Sequence, residues 1–533
     1  MDYLLHHTLF SSAARRPDAE ALVDKDRRLS FGQFAAAAAR LGNGLRGLGV
    51  RRGDRVAIFL GPSLELPIAI YGVSAAGAAF VPIHHGLRPS QVGHILRDCG
   101  VRVLVTAADR LGELAETAGG CPDLEQVVAV GGADGAPGFP APVRDWDDLC
   151  RAADATPPAD VGVDRDLGAV LYTSGSTGSP KGVMLSHANL LAGASIVSDY
   201  LSIVATDRLL AALPFSFDAG LNQLTTAVRQ GAACVLIRFV LPRDLVRVLG
   251  AERITGLAGV PPLWARLTAP GAGLAEAELP ALRYLTNTGG AVSRALLDRL
   301  RAAAPAADVV LMYGLTEAFR STYLPPAELD RRPDSMGKAI PNTEILVVAE
   351  DGRLCGPGEV GELVHHGPTV SRGYWGRPEQ TAAVLRPHPF PPPGGAEPDR
   401  VCYSGDLVRT DEDGFLYFVG RRDGQIKTSG FRVSPTEIEA AVAAADGVRE
   451  AAVVGVPDET LGQRVIAFVA PADVDPAAVR AACAAALPAH MVPGAVEPRD
   501  GLPRTASGKT DYPALRTEAA ALHGPPEETA AGA

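Results

Sequence analysis

Glycines, hydroxyl-bearing residues and a lysine crowd the segment Tyr172-Thr-Ser-Gly-Ser-Thr-Gly-Ser-Pro-Lys-Gly-Val183. An apolar β-type run precedes it and a helical pattern begins near His187, so the segment reads as a strand-to-helix loop. Backbone N–H groups, hydroxyl donors and one mobile cation in such a loop suit the oxygens of a polyphosphate. The spacing is not that of a Walker loop, G-x-x-x-x-G-K-[ST]. The later Gly508-Lys509-Thr510 fails as well, because the position five before Gly508 is Pro503. A flexible Gly/Ser loop would share this composition. What sets the segment apart is its company further along the chain. Met312-Tyr-Gly-Leu-Thr-Glu317, Tyr403-Ser-Gly-Asp406, Gly420-Arg-Arg-Asp423, Lys427-Thr-Ser-Gly-Phe-Arg432 and Pro503-Arg-Thr-Ala-Ser-Gly-Lys509 each set charged or hydroxyl groups beside a glycine.

Positioning such groups takes a large scaffold, and a chain of 533 residues is multi-domain with ample core. With 50 Lys+Arg against 61 Asp+Glu, a net charge of −11 and no long basic run, nucleic acid is not an expected partner. Anionic membrane surfaces are disfavoured for the same reason. The longest apolar stretch, 68–83, is broken by Gly72, Gly77 and Pro82 and falls short of the roughly 18 residues a membrane span needs. It reads as a buried helix running into a strand. Residues 1–10 carry Asp2, His6 and His7 and lack the basic-then-apolar order of a secretory signal, so cytoplasmic residence is the expectation. The 7 cysteines are scattered without a C-x-x-C and read as reduced structural thiols. Three His-His pairs (His6-His7, His84-His85, His365-His366) have no Cys or carboxylate at ligand spacing, and adjacent side chains are expected to point apart, so no histidine metal site is expected.

Between about 54 and 260, short β-rich runs (55–60, 79–83, 102–106, 169–173, 208–213, 233–237) alternate with helical patterns such as 90–99 and 188–200. That alternation is the mark of parallel α/β layers. Stretches 131–143 and 386–400 read as surface loops. The polar, Gly-flanked break at 420–424 is followed by an amphipathic helix from Pro435 and a strand over 451–456. The expected fold is α/β: a large N-terminal multi-layer domain over 1–420, a small C-terminal α+β domain over 421–516, and a disordered Ala/Glu/Pro/Gly-rich tail over 517–533.

The five segments, taken in order with the Tyr172–Val183 loop, resemble the superfamily of adenylate-forming enzymes: acyl-CoA synthetases, nonribosomal peptide synthetase adenylation domains and firefly luciferases. Phe215-Ser-Phe-Asp-Ala-Gly-Leu-Asn-Gln-Leu224 and Tyr313 through Leu324 look more closely like the exosortase-associated acyl-CoA ligases and the stand-alone prolyl carrier-protein ligases. The resemblance implies a carboxylate that attacks the α-phosphate of ATP, with Mg²⁺, and a thiol that then displaces AMP. By motif, Thr173, Ser174, Gly175, Ser176, Thr177, Gly178 and Lys181 would hold the β- and γ-phosphates, Thr316 the α-phosphate and Glu317 the Mg²⁺. Tyr313 would stack on adenine opposite Gly289, Gly290 and Ala291, while Asp406 would accept from the ribose hydroxyls with Arg421 assisting. Lys509 would grip the reacting carboxylate and α-phosphate. Asp423 would be the hinge about which the small domain rotates, bringing Lys427, Gly430 and Phe431 to the site for the second half-reaction, with Gly430 leaving room for a pantetheine arm.

For the acid, Asp218 matches the residue that pairs with an amino acid's α-ammonium in peptide-synthetase adenylation domains. Arg320, on the expected pocket wall, is the competing partner; if it satisfies Asp218 the substrate need not be an amine. Ala219, Asn222, Leu263, Thr286, Thr288, Met312 and Ser321 complete a pocket suited to a small acid. No carrier-protein segment follows Lys509, so the thiol is expected in trans. The preferred reading is amino-acid activation for a separate carrier protein, and the alternative is a CoA ligase for a non-amino acid. A luciferase-like oxidase would share the nucleotide residues, whereas a non-catalytic binding protein would be expected to have lost Lys509, Glu317 or Asp406.

Overall fold

The computed structural model of the chain describes residues 1–133, 138–173, 180–391, 394, 398–421, 425–503 and 510–524. Local chemistry starts the elements where the pattern says it should. The helix Phe31–Gly47 opens on a reciprocal cap: Gln33 N donates to Ser30 Oγ at 3.3 Å and Ser30 N donates to Gln33 Oε1 at 2.9 Å. Its buried stripe, Phe34, Ala38, Leu41 and Leu45, recurs every three to four residues and packs on the wholly apolar helix Glu65–Ala76. That helix and the strand Ala79–Pro82 are the buried helix and strand expected over 68–83.

Two large sheets sandwich these helices, and the expected parallel α/β layering is what forms. One runs in the order Val143–Asp145, Gln126–Val130, Val103–Ala107, Arg55–Phe59, Ala79–Pro82, Leu167–Thr173, Lys181–Ser186. The other begins at its edge with Lys338–Ala339 and Thr322–Leu324, passes through Asp308–Tyr313, Tyr284–Asn287, Gly256–Gly259 and Arg208–Ala211, and ends at Arg27–Ser30. Its four central strands from 208 to 313 are parallel. Their carboxyl ends therefore lie on one side, and the loops that follow, through Asp218, Val260, Thr288 and Thr316, meet there. Open α/β sheets bind ligands at that edge. One expectation fails locally. The Tyr172–Val183 segment joins two antiparallel strands, with Thr173 opposite Lys181, and the helix His187–Tyr200 starts only after the second. The run Lys-Gly-Val-Met-Leu is apolar enough to be a strand but short enough to read as loop.

A third sheet, built on the long strand Arg400–Thr410, ends with Leu416–Arg421. From Ile426 onward the chain forms a separate sheet in which Glu450–Asp458 and Gly462–Ala470 pair antiparallel along their whole length. Side chains alternate faces along a strand. Val453, Val465 and Ala467 pack against the helices Pro435–Ala443 and Pro476–Ala486, while Ala452, Val454 and Phe468 pack against Tyr512–His523. That last helix corrects the expectation of disorder from 517. Leu515 and Ala519, four residues apart, are fully buried on the sheet, and this stripe outweighs a composition that looks loop-like. Among the described residues no helix is long and apolar enough to cross a membrane.

Candidate active site

The loops at the carboxyl ends of the parallel strands and one face of the small sheet enclose a cavity of about 990 Å³. Asp406 is buried behind the cavity wall, held by Tyr313, Arg421, Lys427 and Arg432, which line the cavity. It lies in the central strand of the third sheet, is 0% exposed, and faces Arg421 in register across the strand pair. Arg421 donates to Oδ1 and the Tyr313 hydroxyl donates to Oδ2. From the small sheet, Lys427 Nζ approaches to 3.8 Å and Arg432 to 3.7 Å. Burial works against the charged carboxylate, but Lys427, Arg432 and Arg421 outweigh it and hold the Asp406 pKa below the usual carboxylate value. Lys427 also lies 5.0 Å over the ring of Tyr313. Burial, then the Asp406 charge, pushes the Tyr313 phenol well up.

Glu317 sits in the turn after Asp308–Tyr313. Its Oε1 accepts from Tyr374 at 2.7 Å, whereas Oε2 is buried without a hydrogen bond among the described residues, 3.6 Å from Arg432 Nη1. An orphaned, buried carboxylate oxygen is the donor type a hard cation takes, so Glu317 fits Mg²⁺. The turn is held under strain. Phe319 has φ +55, in the left-handed region, and its ring fills the space above Gly193, where a Cβ would come within 2.3 Å of it. Thr316 lines the cavity. Lys181, 7% exposed, lies over the Tyr374 ring at 5.4 Å, and Thr173 lines the cavity mouth. Ser174, Gly175, Ser176, Thr177, Gly178, Asp423 and Lys509 lie outside the described residues.

Gly289, Gly290 and Ala291 line the cavity opposite the small sheet. Asn287, to which no sequence motif points, fixes their loop: it accepts from Trp264 Nε1 at 3.0 Å and donates to the Gly290 carbonyl at 2.9 Å. Gly289, at φ +76, has the Gly430 carbonyl 3.0 Å from where a Cβ would stand, and a Cβ on Gly430 would strike Val260. The space expected beside Gly430 is thus taken up in this structure by the Val260 side chain of the large domain. Next to it, Phe431 stacks on His490 at 3.6 Å and meets Phe217 edge-on at 4.8 Å, with His84 alongside. Burial lowers His84 to about 4, and burial with the nearby His84 lowers His490 to about 3.

Asp218, Ala219, Thr288 and Met312 line the cavity as expected. Leu263, Thr286, Asn222, Arg320 and Ser321 do not. Leu263 turns into the core beneath the sheet, Thr286 is buried within its strand, and Ser321 is tied to His365 Nδ1 at 2.9 Å. Asp218 opens the helix Asp218–Gln230, and its Oδ1 accepts from Ala219 N at 2.8 Å. Oδ2 lies 3.8 Å from Arg320 Nη1. Burial raises the Asp218 pKa in spite of Arg320. Arg432 and Tyr374 join the site without having been expected there; for Arg432 the available signal is its place at the close of the Lys427–Arg432 segment.

Folding does bring carboxylates to two histidine pairs, against expectation: Asp160 to His6 and His7, and Glu344 to His366 and His388. Both arise from residues far apart in the chain. In each group one imidazole Nδ1 accepts a backbone N–H, His7 from Leu4 at 3.4 Å and His388 from Phe390 at 3.1 Å, so its Nε2 carries the proton and donates to the carboxylate. These hydrogen bonds tie distant parts of the chain together.

The AMP-binding enzyme family matches residues 9–375, and the AMP-binding enzyme C-terminal domain matches 437–509. The chain belongs to the AMP-binding enzyme family. Its members are AMP-forming ligases, and the fold, a large N-terminal α/β domain with a smaller C-terminal one, is theirs. This AMP-binding protein is 33% identical over 503 residues to feruloyl-CoA synthase from Amycolatopsis sp, covering 93% of this chain and 95% of that one. It is also 31% identical over 520 residues to tyrocidine synthase 3 from Brevibacillus parabrevis, a match that covers 97% of this chain but only 8% of that protein's length. Among solved structures, o-succinylbenzoate CoA synthetase from Bacillus subtilis, bound with a product analogue, superposes with a TM-score of 0.81 at 26% identity over 96% of this chain and 98% of that chain.

Proposed function

We propose that this protein activates a small carboxylic acid with ATP and passes it to a phosphopantetheine thiol. The observation that carries this reading is the convergence of Tyr313, Arg421, Lys427 and Arg432 on the buried carboxylate of Asp406, the four of them lining a cavity large enough for a nucleotide and an acid. In the first step a carboxylate oxygen bonds to the α-phosphorus and pyrophosphate leaves. In the second, a thiolate adds to the acyl carbon and AMP leaves. A free carboxylate is a poor electrophile, and AMP makes it a competent one.

Both steps depend on position and charge. Thr173, Lys181 and the intervening loop hold the outer phosphates, Thr316 the α-phosphate, and Lys509 the reacting carboxylate. Asp406 orients the ribose with Arg421, and Tyr313 with Gly289 to Ala291 sandwich the adenine. Glu317 holds Mg²⁺, which when bound neutralises phosphate charge. Rotation about Asp423 exchanges the Lys509 loop for the face bearing Lys427, Phe431 and Arg432.

Asp218 supports an amino acid as the substrate, because it lines the cavity and its Oδ2 makes no hydrogen bond among the described residues. A separate carrier protein is the acceptor on that reading. The Arg320 contact at 3.8 Å favours a second reading, a non-amino acid joined to CoA. The test is ATP–pyrophosphate exchange dependent on Mg²⁺ and on an acid. Lys509→Ala is expected to lower it by about 10²-fold. No exchange across amino, aryl and short acyl acids would overturn the proposal.

A further inference from the structure

Beside one seam between the two domains the surface is basic and apolar, although the chain carries a net charge of −11. Arg88 crosses the seam, and its Nη2 donates to the Ala484 carbonyl of the small domain at 2.9 Å. Leu87 and Gln91 on the large domain and Pro488, His490 and Met491 on the small one line the cavity. The strand Ala233–Leu236 pairs parallel with Arg208–Ala211, so the loop after it, 237–241, emerges on the same side of the sheet as the loops of the candidate site. In that loop Val240 is 79% exposed and Leu241 60%. Singly such residues are ordinary; here they are adjacent and stand among arginines.

Hydrogen bonds join this loop to its surroundings. Arg238 Nε donates to the Pro62 carbonyl at 2.6 Å, and Arg110 Nη1 donates to the His85 carbonyl at 2.6 Å. Burial, then the charges of Arg238 and Arg110, lower the pKa of His85, which stacks at 4.8 Å on His84 in the cavity lining. Arg266 donates to the Val240 carbonyl and lies 5.8 Å over the Phe239 ring, while Arg243 donates to the Gly271 carbonyl at 3.1 Å. Arg88, Arg238, Arg243 and Arg266 are all exposed, and each gives its hydrogen bond to a neutral carbonyl, which leaves its charge uncancelled. Among the described residues none of these four has a carboxylate at ion-pair distance, whereas Arg247 has Asp244 at 3.4 Å and Arg110 has Glu113.

We propose that Val240, Leu241 and these four arginines form the landing surface for an acidic carrier protein, whose phosphopantetheine then enters the cavity along the seam between Leu87 and Met491. The inference rests on the reading of a carrier protein as the acceptor. Carboxylates on the partner meet the arginines, and its apolar side chains cover Val240 and Leu241. Charge of one sign around the entry also steers the partner before contact. CoA would bring phosphates to the arginines but no surface to cover the aliphatic pair. An anionic membrane would cover the pair but bring no thiol to the seam.

The experiment measures acyl transfer by the full chain, with an acid that supports pyrophosphate exchange, to pantetheine, to CoA and to a panel of holo carrier proteins of differing net charge. Transfer should be fastest to acidic carriers and should weaken as salt rises from about 50 to about 300 mM, while transfer to neutral pantetheine stays level. Arg238→Glu with Arg243→Glu is expected to raise KM for the acidic carrier by about tenfold, with kcat, pantetheine transfer and exchange unchanged. Leu241→Ser, which leaves every charge in place, should raise the same KM by about fivefold. An unchanged KM in both variants would overturn the docking surface while the carrier reading stands. A loss confined to CoA would assign the arginines to its phosphates and overturn the surface too. So would binding to vesicles of phosphatidylserine and phosphatidylcholine, or a dimer seen by light scattering, that the variants abolish. Transfer to CoA with none to any carrier would remove both the surface and the acceptor reading.

Discussion

Asp406, buried behind the cavity wall, and Asp218, which lines the cavity, are carboxylates whose surroundings push them in opposite directions. Asp406 has a guanidinium in register across a strand pair, a phenol donor and two further cations from the small sheet, and its pKa is lowered. Asp218 has one guanidinium at 3.8 Å that makes no hydrogen bond to it, and its pKa is raised. The Asp406 carboxylate is thus held by sheet pairing, with partners on both of its oxygens already in place. The surroundings of Asp218 are built from side chains on a helix start and a strained turn, and Arg320 Nε and Nη1 and Asn222 Nδ2 make no hydrogen bond there among the described residues. A constant ligand can be met by fixed geometry, whereas selectivity among acids needs groups whose satisfaction depends on which acid binds.

If that contrast is right, the largest loss should come at Asp406. Asp406→Ala leaves Arg421, Lys427 and Arg432 around an empty site. It should lower exchange by about a thousandfold with every acid alike and reduce the melting temperature, since removing one member of a buried charge cluster costs about 3–5 kcal/mol. A defect that depended on the acid would break the comparison. Asp218→Ala should do the reverse. It is expected to cost about a hundredfold in exchange with amino acids while ATP binding, followed by calorimetry, stays unchanged. Equal loss for amino acids and their des-amino analogues would make Asp218 a structural partner of Arg320.

A smaller effect should separate the half-reactions. Lys427→Ala is expected to slow thioester formation by about tenfold and change exchange by less than about threefold, measured by single-turnover transfer to CoA and to carrier phosphopantetheine. Equal defects in both steps would remove the proposed rotation. The smallest effect concerns acid. His84 and His490 are held near 4 and 3 by burial, against about 6.5 when unfolded, so the unfolded chain binds more protons below about 6.5. Their packing is fully favourable above that value and weakens as the pH falls toward 4. His490→Phe should flatten the fall in stability over this window, read by thermal melts from pH 7 to 4.5.

Periodicity and composition determined the α/β layering, because an apolar run of five residues between polar turns has few other uses. The order of the chemical segments pointed to Tyr313, Glu317, Asp406 and Lys427, since each belongs to a short local motif, and folding brings the four together. The hairpin at Lys181–Ser186 and the helix Tyr512–His523 were hidden because strand pairing and a two-residue buried stripe leave little trace in composition. Only the tertiary structure decided what meets what across the chain: Asn287 beneath Gly290, Tyr374 on Glu317, Arg432 between Glu317 and Asp406, and Asp160 between two histidines. It alone left Arg320 and Asn222 without acceptors, because burial and hydrogen-bond satisfaction depend on every neighbour at once, whereas a motif carries only the residues next to it.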